Sequence, residues 1–183
     1  RIEHQWRNGK CEFCSASEEV YQREDILETH AYEFIHTDRP EKIFSMKFDV
    51  IIGNPPYQLS DGGFGISASP IYQKFVQQAK KLNPKYISMI IPSRWFSGGK
   101  GLDEFRDEML NDNRLRNIND YPDASDCFPG VQIKGGICYF PLNRDDKGLC
   151  KVSTHRGDSV TSVSERQLLE EGCDTFIRYN EAI

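Results

Sequence analysis

The residues best suited to chemistry are Asn54, Pro55, Pro56 and Tyr57, which directly follow the apolar run at 48–52. The side-chain oxygen of Asn54 accepts hydrogen bonds, and a backbone carbonyl held by consecutive prolines offers a second acceptor at a fixed position. Tyr57 adds a flat aromatic face. Two acceptors beside an aromatic face suit a planar ring that carries an amino group, because both amino protons are bound while the ring is stacked.

Holding both protons of such an amine prepares it for alkylation. The lone pair on the exocyclic N6 amine of adenine is delocalised into the ring and is a poor nucleophile. Acceptors for both protons favour a more tetrahedral nitrogen, whose lone pair points at the incoming methyl group. A sulfonium donor already carries a good leaving group, so no charged base and no metal are required. Catalysis would then rest on orientation and electrostatics, and a base in a duplex would first have to leave the stack.

Short apolar runs and chain breakers indicate the elements that position this turn. The β-branched run at 48–52, closed by Gly53 and two prolines, predicts a buried central strand that leads into a loop. Alternation of apolar and polar residues at 31–36 predicts a short strand. Amphipathic spacing predicts helices at 71–81 and 102–110. The remaining runs predict strands at 86–91 and 114–121, and a strand or hairpin at 131–140 that contains Gly135 and Gly136.

Strands that alternate with helices in this order predict an α/β fold with a mainly parallel sheet and a C-terminal antiparallel hairpin. Ligands bind beyond the carboxyl ends of strands in such sheets, and Asn54 stands at one of these ends. We predict one catalytic segment over residues 1–145, which opens with a polar lead-in at 1–30 whose Glu-rich stretch favours a helix. Residues 146–183, where the pattern weakens, are predicted to form an extension or to begin a further module.

The segment from Phe48 to Tyr57 resembles the NPPY motif of the N6-adenine DNA methyltransferases of restriction–modification systems. Further resemblances lie at Ser69–Phe75, Met89–Phe96 and Asp126–Gly130, and together they cover about residues 31–142. The resemblance implies the catalytic half of a Rossmann-like methyltransferase domain, with S-adenosyl-L-methionine as the methyl donor. It also implies double-stranded DNA with a flipped adenine as the substrate, a DNA target-recognition region beginning in 146–183, and a linked nuclease or specificity domain or subunit as partner.

The same resemblance assigns roles to individual residues. Asn54 and the carbonyl of Pro55 would hold N6, Pro56 would stiffen the turn, and Tyr57 would stack on the target adenine. Phe128 would offer a second aromatic face to the flipped base. A core aromatic side chain before a proline turn is an equally good interpretation of Phe128.

The cofactor side of the resemblance is incomplete. Asp38 would meet the adenine end of the cofactor, although an exposed Asp in a Thr-Asp-Arg-Pro turn is the alternative. The family's glycine-rich loop is not recognisable, since Gly63 and Gly65 follow a catalytic-type loop instead of a strand and no acidic residue stands at the required distance. We therefore expect the cofactor half to precede Arg1, and the isolated chain to bind cofactor poorly.

Bulk composition and cysteine spacing add further expectations. With 23 Lys and Arg against 28 Asp and Glu, the net charge of -5 argues against a stand-alone DNA clamp. No apolar run approaches the roughly 18 residues of a membrane span and no signal peptide opens the chain, so we expect a cytoplasmic protein without membrane contact. Cys11 and Cys14 form a zinc-type half-site that His30 and His36 could complete. Their separations exceed the usual finger spacing, so reduced, unligated cysteines and no bound metal are the expectation.

Two other functions remain open from the sequence. Enzymes that methylate RNA bases or a protein glutamine amide share the Asn-Pro-Pro-Tyr turn, because each presents a planar nitrogen. A non-catalytic DNA-recognition module could also keep a methylase-like fold.

Overall fold

The computed structural model describes residues 4–14, 16, 18, 30–58 and 69–183. The chain forms two compact units, one made of Arg1–Lys47 and Pro56–Leu82 and the other of Phe48–Pro55 and Asn83–Ile183. We call them the hairpin–helix unit and the sheet unit. The helix predicted within residues 1–30 and the glycines at 63 and 65 fall almost entirely outside the described residues.

The hairpin–helix unit begins with a small antiparallel hairpin of β1 (Trp6–Arg7) and β2 (Lys10–Cys11). Asn8 and Gly9 connect the strands with φ angles of 51° and 72°. Two consecutive residues with positive φ form the tight turn that matches the twist of a hairpin, and Asn-Gly is a favoured sequence for it. The hairpin therefore has a local cause in the sequence.

The described part of this unit also contains two α-helices, α1 (His30–His36) and α2 (Tyr72–Lys81). The Gln78 side chain of α2 donates hydrogen bonds to the backbone oxygens of Phe34 and Thr37, both at 2.6 Å. The strand predicted at 31–36 is therefore wrong. Its alternation of six residues was too short to exclude a helix, and Ile35 is buried in a core shared with α2, so tertiary packing decides the conformation.

The sheet unit contains a six-stranded sheet and one α-helix, α3 (Asp103–Leu110). Along the sheet the strand order is β3-β4-β6-β5-β7-β8. Phe105 of α3 is buried and packs edge-on against Trp95, which is itself fully buried. The strands are β3 (Val50–Gly53), β4 (Tyr86–Pro92), β5 (Asn117–Tyr121), β6 (Ile137–Asn143), β7 (Cys150–Arg156) and β8 (Ser159–Arg166).

The mixed α/β class is confirmed, and the prediction of a mainly parallel sheet is confirmed only in part. β3 pairs with β4 and β5 with β7 in parallel, whereas β6 runs antiparallel to both of its neighbours and β8 antiparallel to β7. The predicted elements at 71–81, 86–91, 102–110 and 114–121 are present with small changes of bounds. Gly135 and Gly136 precede β6 and do not turn a hairpin. The antiparallel hairpin lies farther along, in β7 and β8.

The prediction of a buried central strand at 48–52 is correct about the strand but wrong about both its burial and its central place. Within the described residues β3 pairs only with β4 and forms an edge of the sheet. Val50 is 50% and Ile52 78% exposed. The β-branched run correctly indicated a strand, because such residues favour extended backbone. It did not indicate how many neighbours the strand has.

The region after residue 145 continues the same sheet. β7 pairs with β5 and β8 pairs with β7, so residues 150–166 extend the sheet at the side opposite β3. Whether residues 146–183 begin a target-recognition region stays a prediction. In the described part of the chain, no helix has the length and apolar character needed to cross a membrane.

Candidate active site

The strands β3, β4, β5 and β7 all end at the same end of the sheet, where β6 begins. We call this end the carboxyl edge, and it carries the predicted catalytic residues of the sheet unit. The pairing fixes this arrangement, since Gly53 pairs with Met89, three residues before the end of β4. Ile137, the first residue of β6, pairs with both Pro92 and Tyr121. Loops that leave these strands therefore emerge on one side of the sheet.

Asn54 and Pro55 directly follow β3 at this edge. Asn54 is exposed and Pro55 is buried. The proline has a fixed φ and no N–H, so its buried ring holds the turn while the preceding side chain faces solvent. Among the described residues, we find no hydrogen bond to the Asn54 side chain. The role of this amide oxygen as an acceptor for N6 stays a prediction.

Pro56, Tyr57 and Asp38 belong to the hairpin–helix unit. Pro56 is exposed and Tyr57 half-buried. The backbone oxygen of Tyr57 accepts a hydrogen bond of 3.2 Å from the N–H of Ile71, just before α2. Asp38 is exposed in a bend after α1. It follows a helix instead of the predicted strand, and its contact with the cofactor stays a prediction.

Phe128 lies in the segment between β5 and β6, at the carboxyl edge. Its N–H donates to the backbone oxygen of Ala124 at 2.8 Å, and its own carbonyl accepts from Val131 at 3.0 Å. Asp123 caps the preceding 3-10 turn by accepting from the N–H and hydroxyl of Ser125, and these bonds lower the pKa of Asp123. Phe128 is half-buried. Phe128 is therefore neither a fully buried core residue nor a fully exposed surface residue.

An ion pair between buried Asp120 and half-buried Arg178, which the sequence did not reveal, joins segments at the carboxyl edge. Asp120 at the end of β5 is 1% exposed. It accepts hydrogen bonds from Ser93 Oγ at 2.8 Å and from Arg178 Nε and Nη2 at 2.6 and 2.8 Å. Burial lowers the pKa of Arg178, but the bonds and charge of Asp120 outweigh burial and leave that pKa raised. The partners are 58 positions apart in the sequence, so no local pattern predicts the pair.

Next to this ion pair lies an open cleft of about 1110 Å³, formed by residues of the sheet unit. The cleft is lined by residues 122–126, 132–134 and 154–156. Its lining therefore includes residues that precede Phe128 and residues that follow it in the chain. His155 stacks on Tyr121 with 4.5 Å between the ring centroids. Its Nε2 lies 3.1 Å from Asn119 Oδ1.

A second cluster of functional side chains occurs in the hairpin–helix unit. Ligand-type atoms of His4, Cys11, Cys14 and His36 all lie within 4.8 Å of one another. Burial raises the pKa of Cys14 to about 11, while the Ala16 backbone hydrogen bond acts in the opposite direction. The sequence had named Cys11, Cys14 and His36, but not His4. The side chain of His30, the other predicted ligand, lies outside the described part of the chain.

Comparison with known proteins gives the family. The family model described as Eco57I restriction-modification methylase matches residues 1–128. An "Uncharacterized adenine-specific methylase" from Mycoplasma pneumoniae is 40% identical over 159 residues, which cover 81% of this chain and 38% of that relative. The chain thus spans well under half the length of this relative.

Two solved structures are also similar. One is the methyltransferase subunit of a type I restriction-modification system from Streptococcus thermophilus, with 12% identity, a TM-score of 0.43, and coverage of 80% of this chain and 32% of that one. The other is the type IIG restriction endonuclease BpuSI, with 18% identity, a TM-score of 0.41, and coverage of 58% and 15%. Since the family match extends over more than half of its residues, this chain belongs to the Eco57I restriction-modification methylase family.

Proposed function

We propose that this chain is the catalytic half of a DNA methyltransferase that transfers a methyl group from S-adenosyl-L-methionine to N6 of a flipped adenine. The observation that carries the proposal is the exposed amide of Asn54, followed by a buried proline, at the carboxyl end of a strand. Membership of an adenine-specific methylase family supports adenine as the target. Double-stranded DNA is the corresponding partner, with a linked nuclease or specificity subunit.

In this proposal the chain binds and orients the acceptor base. The Asn54 oxygen and the Pro55 carbonyl accept the two N6 protons, and Pro56 restricts the turn. Tyr57 stacks on the extruded base, and Phe128 supplies the second aromatic face. Base–aromatic stacking contributes about 1–3 kcal/mol per base, which offsets part of the cost of removing the adenine from the duplex.

The described residues do not form a complete binding site for the cofactor. Asp38 is exposed after a helix, and the described part of the chain contains no glycine-rich turn that follows a strand and opens a helix. We therefore assign no step of the reaction to a cofactor contact of this chain. Binding of the methyl donor is assigned to the full-length protein.

Methyl transfer by the full-length protein tests the proposal. The protein is incubated with S-adenosyl-L-methionine labelled in its methyl group and, separately, with duplex DNA, RNA and protein acceptors. We expect label in DNA, recovered as N6-methyladenine after digestion to nucleosides. Asn54→Ala should reduce kcat by about 10²–10³-fold, the usual loss when one preorganised transition-state hydrogen bond is removed.

Asn113→Ala is the matched control. Asn113 is also exposed but lies before β5, at the end of that strand opposite the carboxyl edge, so activity should be unchanged. Label found only in RNA or only in protein would replace the DNA assignment with one of the other two methyl acceptors. An Asn54→Ala variant that methylates DNA at the wild-type rate would remove the proposed active site.

A further inference from the structure

We propose that His4, Cys11, Cys14 and His36 bind one structural Zn²⁺ ion in the hairpin–helix unit. Three of the four side chains belong to the hairpin segment at 4–14, and the fourth is the last residue of α1. Their ligand-type atoms nevertheless lie within 4.8 Å of one another. Hydrophobic packing alone does not require two cysteines and two histidines to converge in this way.

The distances suit a tetrahedral ion. Zinc binds sulfur at about 2.3 Å and imidazole nitrogen at about 2.0–2.1 Å, so ligand atoms of one tetrahedral site are separated by about 3.3–3.8 Å. Cys14 Sγ lies 3.6 Å from His4 Nδ1. All ligand atoms of the cluster lie within 4.8 Å of one another, so small side-chain rotations are enough to bring them to these distances around an ion.

The fold of the hairpin brings the side chains of both cysteines to the same place. The tight turn at Asn8 and Gly9 places Cys11 opposite Trp6. The N–H of Cys11 then donates to Ala16 O at 2.9 Å, which folds the chain back around Cys14. Both cysteines are buried, at 2% and 1% exposure. A C-x-x-C turn at the end of a short hairpin is a suitable zinc half-site.

Aromatic neighbours orient the two imidazoles. Trp6 stacks on His4 with 4.9 Å between the ring centroids. Phe13 lies 4.9 Å from the ring of His36, and the two histidine rings are 4.7 Å apart, edge to face. Fixed rings reduce the entropy lost when an ion binds, as the surroundings of metal-ligating histidines generally do.

The ligand set indicates zinc and a structural role. Two thiolates and two imidazoles in a tetrahedral arrangement favour zinc over magnesium or calcium, which prefer oxygen ligands. Four protein ligands leave no open position for water or substrate, so the site is of the structural type. Two thiolates also neutralise the ion. The proposal therefore adds no metal to methyl transfer, and it replaces the expectation that Cys11 and Cys14 are unligated.

The ion would lie beside a hydrophobic cluster. In the described part of the unit, the two cysteines pack with buried Ile35, Ile71 and Phe75. Small folds often add a structural metal to a core of this kind. A zinc ion would connect the hairpin directly to α1, and its binding energy would become folding energy of the unit.

Metal analysis of the 183-residue chain, purified under reducing conditions without chelator, tests the proposal. We expect one zinc ion per chain. Replacement by Co²⁺ should give the visible absorption bands of a tetrahedral site together with near-ultraviolet thiolate charge-transfer bands. Chelation should remove the amide-exchange protection of residues 4–14. The cobalt spectrum needs no variant, so it decides the question even if substitutions prevent folding.

Variants locate the ion. Cys14→Ser and His36→Ala should each lose the zinc, whereas Cys173→Ser and His155→Ala, which change the same residue types in the sheet unit, should keep it. A reduced wild-type chain that binds no zinc on titration would overturn the proposal, as would a Cys11–Cys14 disulfide. Zinc retained by Cys14→Ser and His36→Ala would also overturn it, because the ion would then lie elsewhere. DNA methylation is a separate readout, so either proposal can fail while the other stands.

Discussion

Asn54 and Asp120 are both polar residues at the carboxyl edge of the sheet, yet their surroundings are opposite. Asp120 is buried and accepts three hydrogen bonds from Ser93 and Arg178. Asn54 is exposed, and only the proline that follows it is buried. A carboxylate with this many bonds holds neighbouring segments in place and has little capacity left for a ligand. An exposed amide adds little to folding and keeps its hydrogen-bonding capacity, so stability and binding are separated at one edge.

The largest loss of stability is expected at the buried residue. Asp120→Ala should lower the free energy of unfolding by about 3–5 kcal/mol, because the guanidinium of Arg178 would remain largely buried without its partner. Urea denaturation checks this. Trp95 is the buried tryptophan of the sheet unit, so a Trp6→Phe background makes the fluorescence report on that unit.

A second substitution and an exposed pair provide the controls. Adding Arg178→Met to Asp120→Ala should recover part of the loss, since no unpaired charge is left. Asp145→Ala breaks the exposed pair with Arg144, which has an N···O distance of 2.9 Å, and should change stability little. Equal effects of Asp120→Ala and Asp145→Ala would mean that burial does not distinguish the two pairs.

An intermediate effect is expected at Gly136, which adjoins the same edge. Its φ is +79°, and a Cβ there would overlap the carbonyl oxygen of Tyr121 and lie 2.7 Å from that of Pro122. Gly136→Ala should therefore cost more than about 2 kcal/mol, the sum of the left-handed backbone term and the steric clash. The midpoint of urea unfolding measures it.

Gly130 is the matched control for this close approach. Its φ is +80°, and a Cβ would have nothing within 4 Å. Gly130→Ala should cost only the backbone term of about 1–2 kcal/mol. If both variants lose the same stability, the contact with Tyr121 and Pro122 is not important.

The sequence predicted the elements whose signals are local. Residues 86–91 form a short apolar run between breakers, and 71–81 have apolar residues at helical spacing after a proline, so β4 and α2 were predicted with nearly correct bounds. Asn54 was predicted as a candidate because its environment depends on the next few residues. Local order in the chain was sufficient for β4 and α2, whereas the role of Asn54 stays a prediction.

The sequence did not predict features that depend on distant partners. The ion pair of Asp120 and Arg178 joins residues far apart in the chain. The strands β7 and β8 were missed because β8 exposes apolar residues such as Val160 and Val163, which removes the usual in–out pattern. His4 was missed as a possible ligand because the spacing between His4 and His36 matches no known ligand motif. The segment at 31–36 was also predicted as a strand, whereas it is the helix α1 that brings His36 to the cluster.

The smallest expected change in stability belongs to the residue with the largest expected change in activity. Asn54→Ala should alter the free energy of unfolding by no more than about 0.5 kcal/mol, the usual range for exposed substitutions, while methylation by the full-length protein falls. Urea denaturation and the methylation assay on the same preparations measure both. If Asn54→Ala destabilised the sheet unit as strongly as Asp120→Ala, the loss of activity would follow from unfolding, and Asn54 would be a structural residue.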